Sequence, residues 1–189
     1  QKTIIKGYDR NRIVIKGFAG SQAESFVKKN AKHWEFVKIG EVVPDWKIKK
    51  LKDGTIQLVT YNCNDKEEVV IPSDVTSIGN AAFKDCKRLT SIEMHDEIAN
   101  IGKFAFKGCT SLEMVKLPGK VDVLRDSVFR DCSSLKQVFL SDAIVSIEKW
   151  AFRGCSSIEV IQLPDTVNSI GAAAFQDCVC LSQINLPEG

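Results

Sequence analysis

The chain reads as a solenoid of the α/β class, built from 23-residue coils with a parallel sheet along one wall, and three observations lead there. Six cysteines stand at positions 63, 86, 109, 132, 155 and 178, each 23 residues after the last. After each of them except Cys63 comes a leucine or isoleucine three residues on, then an aliphatic or Met pair at six and eight residues, as in Leu89, Ile92 and Met94 or Leu135, Val138 and Leu140. Ahead of the last five cysteines sits a small residue followed by Phe, at Phe83, Phe106, Phe129, Phe152 and Phe175. A fixed period of this length marks a stack of equivalent units, none of which buries a core alone.

Taken in chain order, residues 1–40 stand outside the period and read as a small α/β segment. Ile13, Val14 and Ile15 predict a strand. Ser21 with Glu24 three residues later is a capping box that opens a helix. Ala23, Phe26 and Val27 form its apolar side, and Lys28 and Lys29 stand where the helix dipole favours cations. Trp34 to Ile39 predict a second strand. Residues 41–61 read as a β-hairpin, because Trp46 to Leu51 and Thr55 to Tyr61 flank Asp53 and Gly54, a dipeptide suited to a tight turn. This hairpin is expected to cover the first coil, since an uncapped solenoid end exposes apolar surface.

Residues 62–189 are the array. In each coil the residues at three and five positions after the leading Leu or Ile face one way and those between face the other, which describes a short strand with one buried face. Equivalent strands of successive coils should stack at ~4.8 Å. Pro72, Pro118, Pro164 and Pro187 follow the strands and end the ladder, having no N–H to donate; His95 and Ser141 fill the same slot elsewhere. A second apolar pair, Val75 with Ile78 in one coil and Ile98 with Ile101 in the next, should line the core from the opposite wall. The last coil, around Leu181, Ile184 and Leu186, is expected to be open and to associate with another copy or with a continuation of the array.

The phrase I-G-x-x-A-F-x-x-C-x-x-L-x-x-I-x-L-P, carried by Gly79, Ala82, Phe83 and Cys86 and again by Gly102, Ala105, Phe106 and Cys109, resembles the BspA-type leucine-rich repeats of bacterial and some protist surface and secreted proteins. Arg125 and Glu148 depart from it where the family pattern has Gly, and Val128 replaces Ala. The D-G-T-I-x-L stretch resembles the opening hairpin of such arrays. Residues Gly17 to Glu24 resemble the phrase with which they close, so residues 1–40 are similar to the terminal cap of an earlier array. The resemblance implies a leucine-rich repeat solenoid with its parallel sheet on the concave face. It further implies an extracellular or cell-surface location and a non-catalytic role in adhesion to a host or matrix protein. A structural spacer within a larger surface protein is the alternative.

Composition excludes other classes. The formal charge of +2, from 26 basic and 24 acidic residues, exerts no global pull toward nucleic acid. No apolar run approaches the ~20 residues needed to span a bilayer, so membrane insertion is not expected. Stacked coils would hold cysteines ~4.8 Å apart with parallel side chains, wider than the ~3.8 Å between Cβ atoms that a disulfide prefers. Cys86, Cys109, Cys132, Cys155 and Cys178 are therefore expected to be reduced and buried in a row. Cys180 takes a slot that is polar in the other coils and should be exposed, a point open to intermolecular pairing. No zinc-ligand spacing involves His33 or His95, and neither metal nor cofactor is expected. Gly17 to Ser21 lacks the Lys-Ser/Thr ending of a phosphate loop. With acids scattered evenly over separate coils and no nucleophile–base pair, the chain is not read as an enzyme.

Binding is the stronger class, because the exposed face of a stacked sheet is an extended recognition surface. Met114, Phe139 and Val160 fall at water-facing strand positions in three successive coils, rimmed by Lys116, Gln137 and Gln162, and predict a patch that contacts a protein; packing against a neighbouring segment, or strand propensity alone, is the more ordinary account of such residues. A second stripe, Lys84, Lys107, Arg130 and Arg153, runs along the outer wall and could meet an anionic glycan or other surface polymer. Asp85, Asp131 and Asp177 beside it favour a solvated, neutralised face. Phe104 and Trp150 on that wall either contact a partner or pack onto the adjacent coil.

Overall fold

The computed structural model describes residues 4–5, 13–17, 34–38, 46–63 and 66–186, and the chain divides into two compact units, Gln1–Pro44 and Asp45–Gly189. In the first unit, β1 (Ile4–Ile5) runs antiparallel to β2 (Ile13–Gly17), which pairs in parallel with β3 (Trp34–Lys38). The helix expected from Ser21 and Glu24, the stretch from Phe18 to Ser21 that follows Gly17, and His33 lie outside the described residues.

The second unit opens with a hairpin, β4 (Trp46–Lys50) antiparallel to β5 (Ile56–Tyr61). Gly54 takes the left-handed conformation at φ 88°, where a side chain would be strained. The Asp53 carboxylate accepts a 2.9 Å bond from the Thr55 N–H, which also holds its pKa below the usual value. The array beyond is a parallel β-solenoid. Among the described residues its coils are joined by turns on the outer wall, not by helices.

Each coil contributes to two ladders. The first sheet collects β6 (Glu68–Val70), β8 (Ser91–Glu93), β10 (Met114–Lys116) and β12 (Gln137–Phe139), followed by the separate pair β14 (Val160–Gln162) and β16 (Gln183–Asn185). The second continues from the hairpin through β7 (Ser77–Ile78) and β9 (Asn100–Ile101), then resumes as β11 (Val123–Leu124), β13 (Ser146–Ile147) and β15 (Ser169–Ile170). Register follows the sequence period directly: Val69 faces Ile92, Val115 faces Val138, and Ile161 faces Ile184. The core between the ladders is the repeated apolar set, including Leu112, Val115 and Val121. A spine of phenylalanines runs through it, Phe83, Phe106, Phe129, Phe152 and Phe175, with ring centroids 5.2, 5.4, 5.6 and 5.4 Å apart. Tyr61 of β5 extends the spine at 5.0 Å from Phe83, and Trp46 of β4 lies 6.4 Å beyond. The hairpin thus closes the first coil by prolonging its aromatic stack.

The glycine of the repeat is required by close packing and not by a left-handed backbone. Gly102 and Gly171 are not in that region; instead a Cβ on Gly102 would lie 2.5 Å from the Asn80 nitrogen, and one on Gly171 2.3 Å from the Lys149 nitrogen. Close approach to the preceding coil excludes a side chain. Arg125 occupies this position in the next coil, and it is there, between β9 and β11, that the second ladder is interrupted. Polar side chains occupy the junction: Arg125 Nη2 donates to Asn100 Oδ1 at 3.4 Å, and Glu148 Oε2 accepts from the Asp126 N–H at 2.7 Å. The left-handed residues are others, among them Phe104, Ser127 and Trp150, and the residue before each periodic cysteine from Cys86 onward: Asp85, Gly108, Asp131, Gly154 and Asp177.

The cysteine row requires a correction. Cys86 is not reduced: it is joined to Cys63 by a disulfide, with Cα atoms 5.0 Å apart. Parallel side chains would have kept the sulfurs apart, but Cys63 lies in the exposed stretch after β5, outside any strand, so its side chain is not held parallel to that of Cys86. The remaining members are free, and Cys109, Cys132 and Cys155 are fully buried. Each of these Sγ atoms donates to a phenylalanine carbonyl of the preceding coil, at Phe83, Phe106 and Phe129, at 3.1 Å. Cys178 makes the same 3.1 Å bond to Phe152 but is only half-buried, because the last coil has no described neighbour on its far side. Burial pushes the thiols of Cys109 and Cys178 up to about 12, and Cys180 is exposed.

Candidate functional site

The pleat of the first sheet sorts its side chains by position. In β10 and β14 the central residues, Val115 and Ile161, are buried, whereas their neighbours on either side face outward. Val138 in β12 is half-buried. Met114, Phe139 and Val160 are 46, 51 and 45 % exposed, too much for core side chains.

The register arranges these residues as a block. Met114 faces Gln137 and Lys116 faces Phe139 across the β10–β12 ladder. Val160 and Gln162 of β14 follow on the other side, so the apolar residues zigzag through the block while Lys116, Gln137 and Gln162 alternate with them. Between β12 and β14 the ladder is interrupted. An open cleft of about 510 Å³ lies there, lined by Gln137, Phe139, Val160, Gln162, Lys136 and Glu159 among others. Lys136 is held by Glu113 at 3.3 Å. The cleft therefore offers one aromatic and one aliphatic surface between two primary amides, with a carboxylate at its rim. Such a surface suits a partner that carries an apolar side chain within a hydrogen-bonding chain. Val70, 62 % exposed on the same sheet, adds a further apolar residue that the sequence pattern had placed in the outward column without singling it out.

The outer row is arranged differently. Lys84 pairs with Asp85 at 3.9 Å, Arg130 with Asp131 at 3.4 Å and Arg153 with Asp177 at 3.3 Å, while Lys107 is half-buried. Lys149 lies 4.6 Å over the Trp150 ring and Arg130 lies 5.8 Å from it. Both Trp150 and Phe104 are half-buried against this wall. Three of the four cations thus face a carboxylate, which lowers the field of the stripe.

Two features escaped the sequence pattern. The disulfide depends on a cysteine that sits in the period but outside the repeat's structure. The charge distribution is hidden by the small net value: residues 1–52 carry 13 Lys and Arg against five Asp and Glu, whereas residues 53–189 carry 13 against 19. Splitting the count at the hairpin would have exposed it. Among the described residues no three His, Cys, Asp or Glu side chains converge as metal ligands, and no helix is long and apolar enough to cross a membrane. His95 instead occupies the proline slot, its Nε2 donating to the Pro72 carbonyl at 3.0 Å.

Comparison with known proteins agrees with this architecture. Residues 57–182 match the model of the BspA type leucine rich repeat region, in six copies. Among solved structures the chain is similar to the T. pallidum leucine rich repeat protein, at 28 % identity and a TM-score of 0.73, over 78 % of this chain and 71 % of that one. It is also similar to a leucine-rich repeat protein from Bacteroides ovatus ATCC 8483, at 30 % identity and a TM-score of 0.71, over 79 % of this chain and 42 % of that one. The chain thus spans less than half the length of the second. A search of curated proteins found no match.

Proposed function

The chain belongs to the BspA-type leucine-rich repeat family, and from that premise we propose that it is a non-catalytic module that binds an extracellular protein, of a host or its matrix, through the concave face. The observation that carries this reading is the zigzag of Met114, Phe139 and Val160 beside the interrupted ladder. Apolar side chains about half exposed in three successive coils, next to a cleft, are costly to leave in water unless a partner covers them. Phe139 stands at the centre of the block, where aromatic anchors carry most of the binding energy. An extracellular or surface location is supported by the Cys63–Cys86 disulfide, since such bonds persist in oxidising compartments.

The test is a binding screen of the 189-residue chain against immobilised extracellular matrix proteins, with Phe139→Ser as the comparison. A genuine concave-face partner should bind the variant at least about fivefold more weakly, a loss of about 1 kcal/mol, while the melting temperature stays within about 2 °C. Equal binding by both forms would remove the concave face from consideration. No binding to any matrix protein would favour the spacer role.

A further inference from the structure

Among the described residues the longest run of closely spaced lysines without an ion pair lies in the cap hairpin. Lys47, Lys49, Lys50 and Lys52 are all exposed, and among the described residues none has a carboxylate within ion-pair distance. Across the ladder Lys47 faces Thr60 and Lys49 faces Gln57, so the partner strand supplies no counter-charge. The single acid of the turn, Asp53, has its carboxylate engaged by the Thr55 N–H. In the solenoid many cations are paired, including Arg88 with Glu67, Lys120 with Glu97 and Lys136 with Glu113, and the exposed lysines without an ion pair, Lys87, Lys103 and Lys116, stand in separate segments. The four lysines belong to residues 1–52, which carry 13 basic against five acidic residues.

We propose that the hairpin, not the outer row, is a binding site for an anionic polysaccharide bearing carboxylate or sulfate groups. Lysines on an edge strand also serve to repel a second protein strand. That role accounts for Lys47, Lys49 and Lys50 but not for Lys52, which continues the charge into the turn. The geometry favours a hydroxyl-rich polymer. As the end strand of its sheet, β4 leaves alternate backbone N–H and C=O groups free along its outer edge, matched to sugar hydroxyls, while the ammonium groups beside them meet the anions. Ile48, 40 % exposed between the lysines, adds an apolar surface for a sugar ring. Lys47 and Lys49 project from one face of the ribbon and Lys50 from the other, and the register shifts between Lys47 and Ile48. A linear chain can follow this twisted edge; a planar lipid surface meets one face only.

The experiment titrates the full 189-residue chain with heparin and with polygalacturonate at low salt, the two probes separating sulfate from carboxylate preference. Replacing the four hairpin lysines by Gln should weaken binding at least about tenfold and flatten its salt dependence, because fewer counterions are released. Replacing the same four by Arg should preserve it. Lys107→Gln with Arg153→Gln should change it less than about twofold. Phe139→Ser should leave polysaccharide binding intact, so failure here and failure of the concave-face reading are separable. The proposal is overturned if neither probe binds, if the hairpin variant binds as tightly as the parent, or if the outer-row variant loses as much. It is equally overturned if phosphatidylglycerol vesicles bind as tightly as either polysaccharide.

Discussion

Removing the Cys63–Cys86 bond should destabilise the solenoid at its first coil. The bond closes a loop with a sequence separation of 23. For a loop of that length the lost freedom of the unfolded chain corresponds to about 3 kcal/mol in the loop-entropy account. Cys63 is exposed, so Cys63→Ser places a hydroxyl in water and adds no burial penalty; Cys86 then becomes a free, buried thiol at the head of the sulfur row. For a chain of this size ~3 kcal/mol corresponds to a fall in melting temperature of about 6–12 °C. Coils couple chiefly to their neighbours, so the loss should be local. Hydrogen exchange should rise in the hairpin and in the coil from β6 to Leu89, and much less around β12 and β14. Thermal melting of the parent with and without reductant, beside Cys63→Ser, reads the magnitude, and exchange reads its location. If the parent melts at the same temperature with and without reductant, and Cys63→Ser matches both, the bond is either not formed or not stabilising, and the reasoning fails.

Phe129 is fully buried between Phe106 and Phe152, so Phe129→Ala should cost about 3–5 kcal/mol by urea denaturation, whereas Phe139→Ser should cost under about 1 kcal/mol; similar losses at both sites would contradict the pleat. Thiol labelling of the unreduced native protein near pH 8 should modify Cys180 quickly and leave Cys109, Cys132 and Cys155 unmodified. Burial raises the Cys109 and Cys178 pKa values from 9.0 to about 12. The folded state therefore holds these protons more tightly than the unfolded chain, and their contribution to stability should be complete below pH 9 and decline as pH rises toward 12, which alkaline melting curves would record. Gly102→Ala would bring a methyl group to 2.5 Å from the Asn80 backbone nitrogen; it should lower stability by more than about 1 kcal/mol, and an unchanged urea midpoint would show that the coils can separate freely.

Period and alternation were enough to specify the coil, its buried face and the outward columns that contain Met114, Phe139 and Val160, because a stacked repeat turns sequence spacing directly into spatial register. The closing role of the hairpin was legible in Asp53 and Gly54, although the means of closure, Tyr61 and Trp46 prolonging the phenylalanine spine, appears only when the rings are placed. What the tertiary structure alone decided lies where the repeat is imperfect. The Cys63–Cys86 disulfide depends on the path of a non-repeating stretch, which no period constrains. The interruption of the second ladder falls where Arg125 replaces the glycine whose counterpart, Gly102, lies against the preceding coil, and the break of the first, between β12 and β14, has no counterpart in the repeat pattern. Neutralisation of the outer row by Asp85, Asp131 and Asp177, against bare lysines on the hairpin, is a matter of a few ångströms between side chains. Periodicity determines which residues are equivalent; only packing determines which equivalents touch.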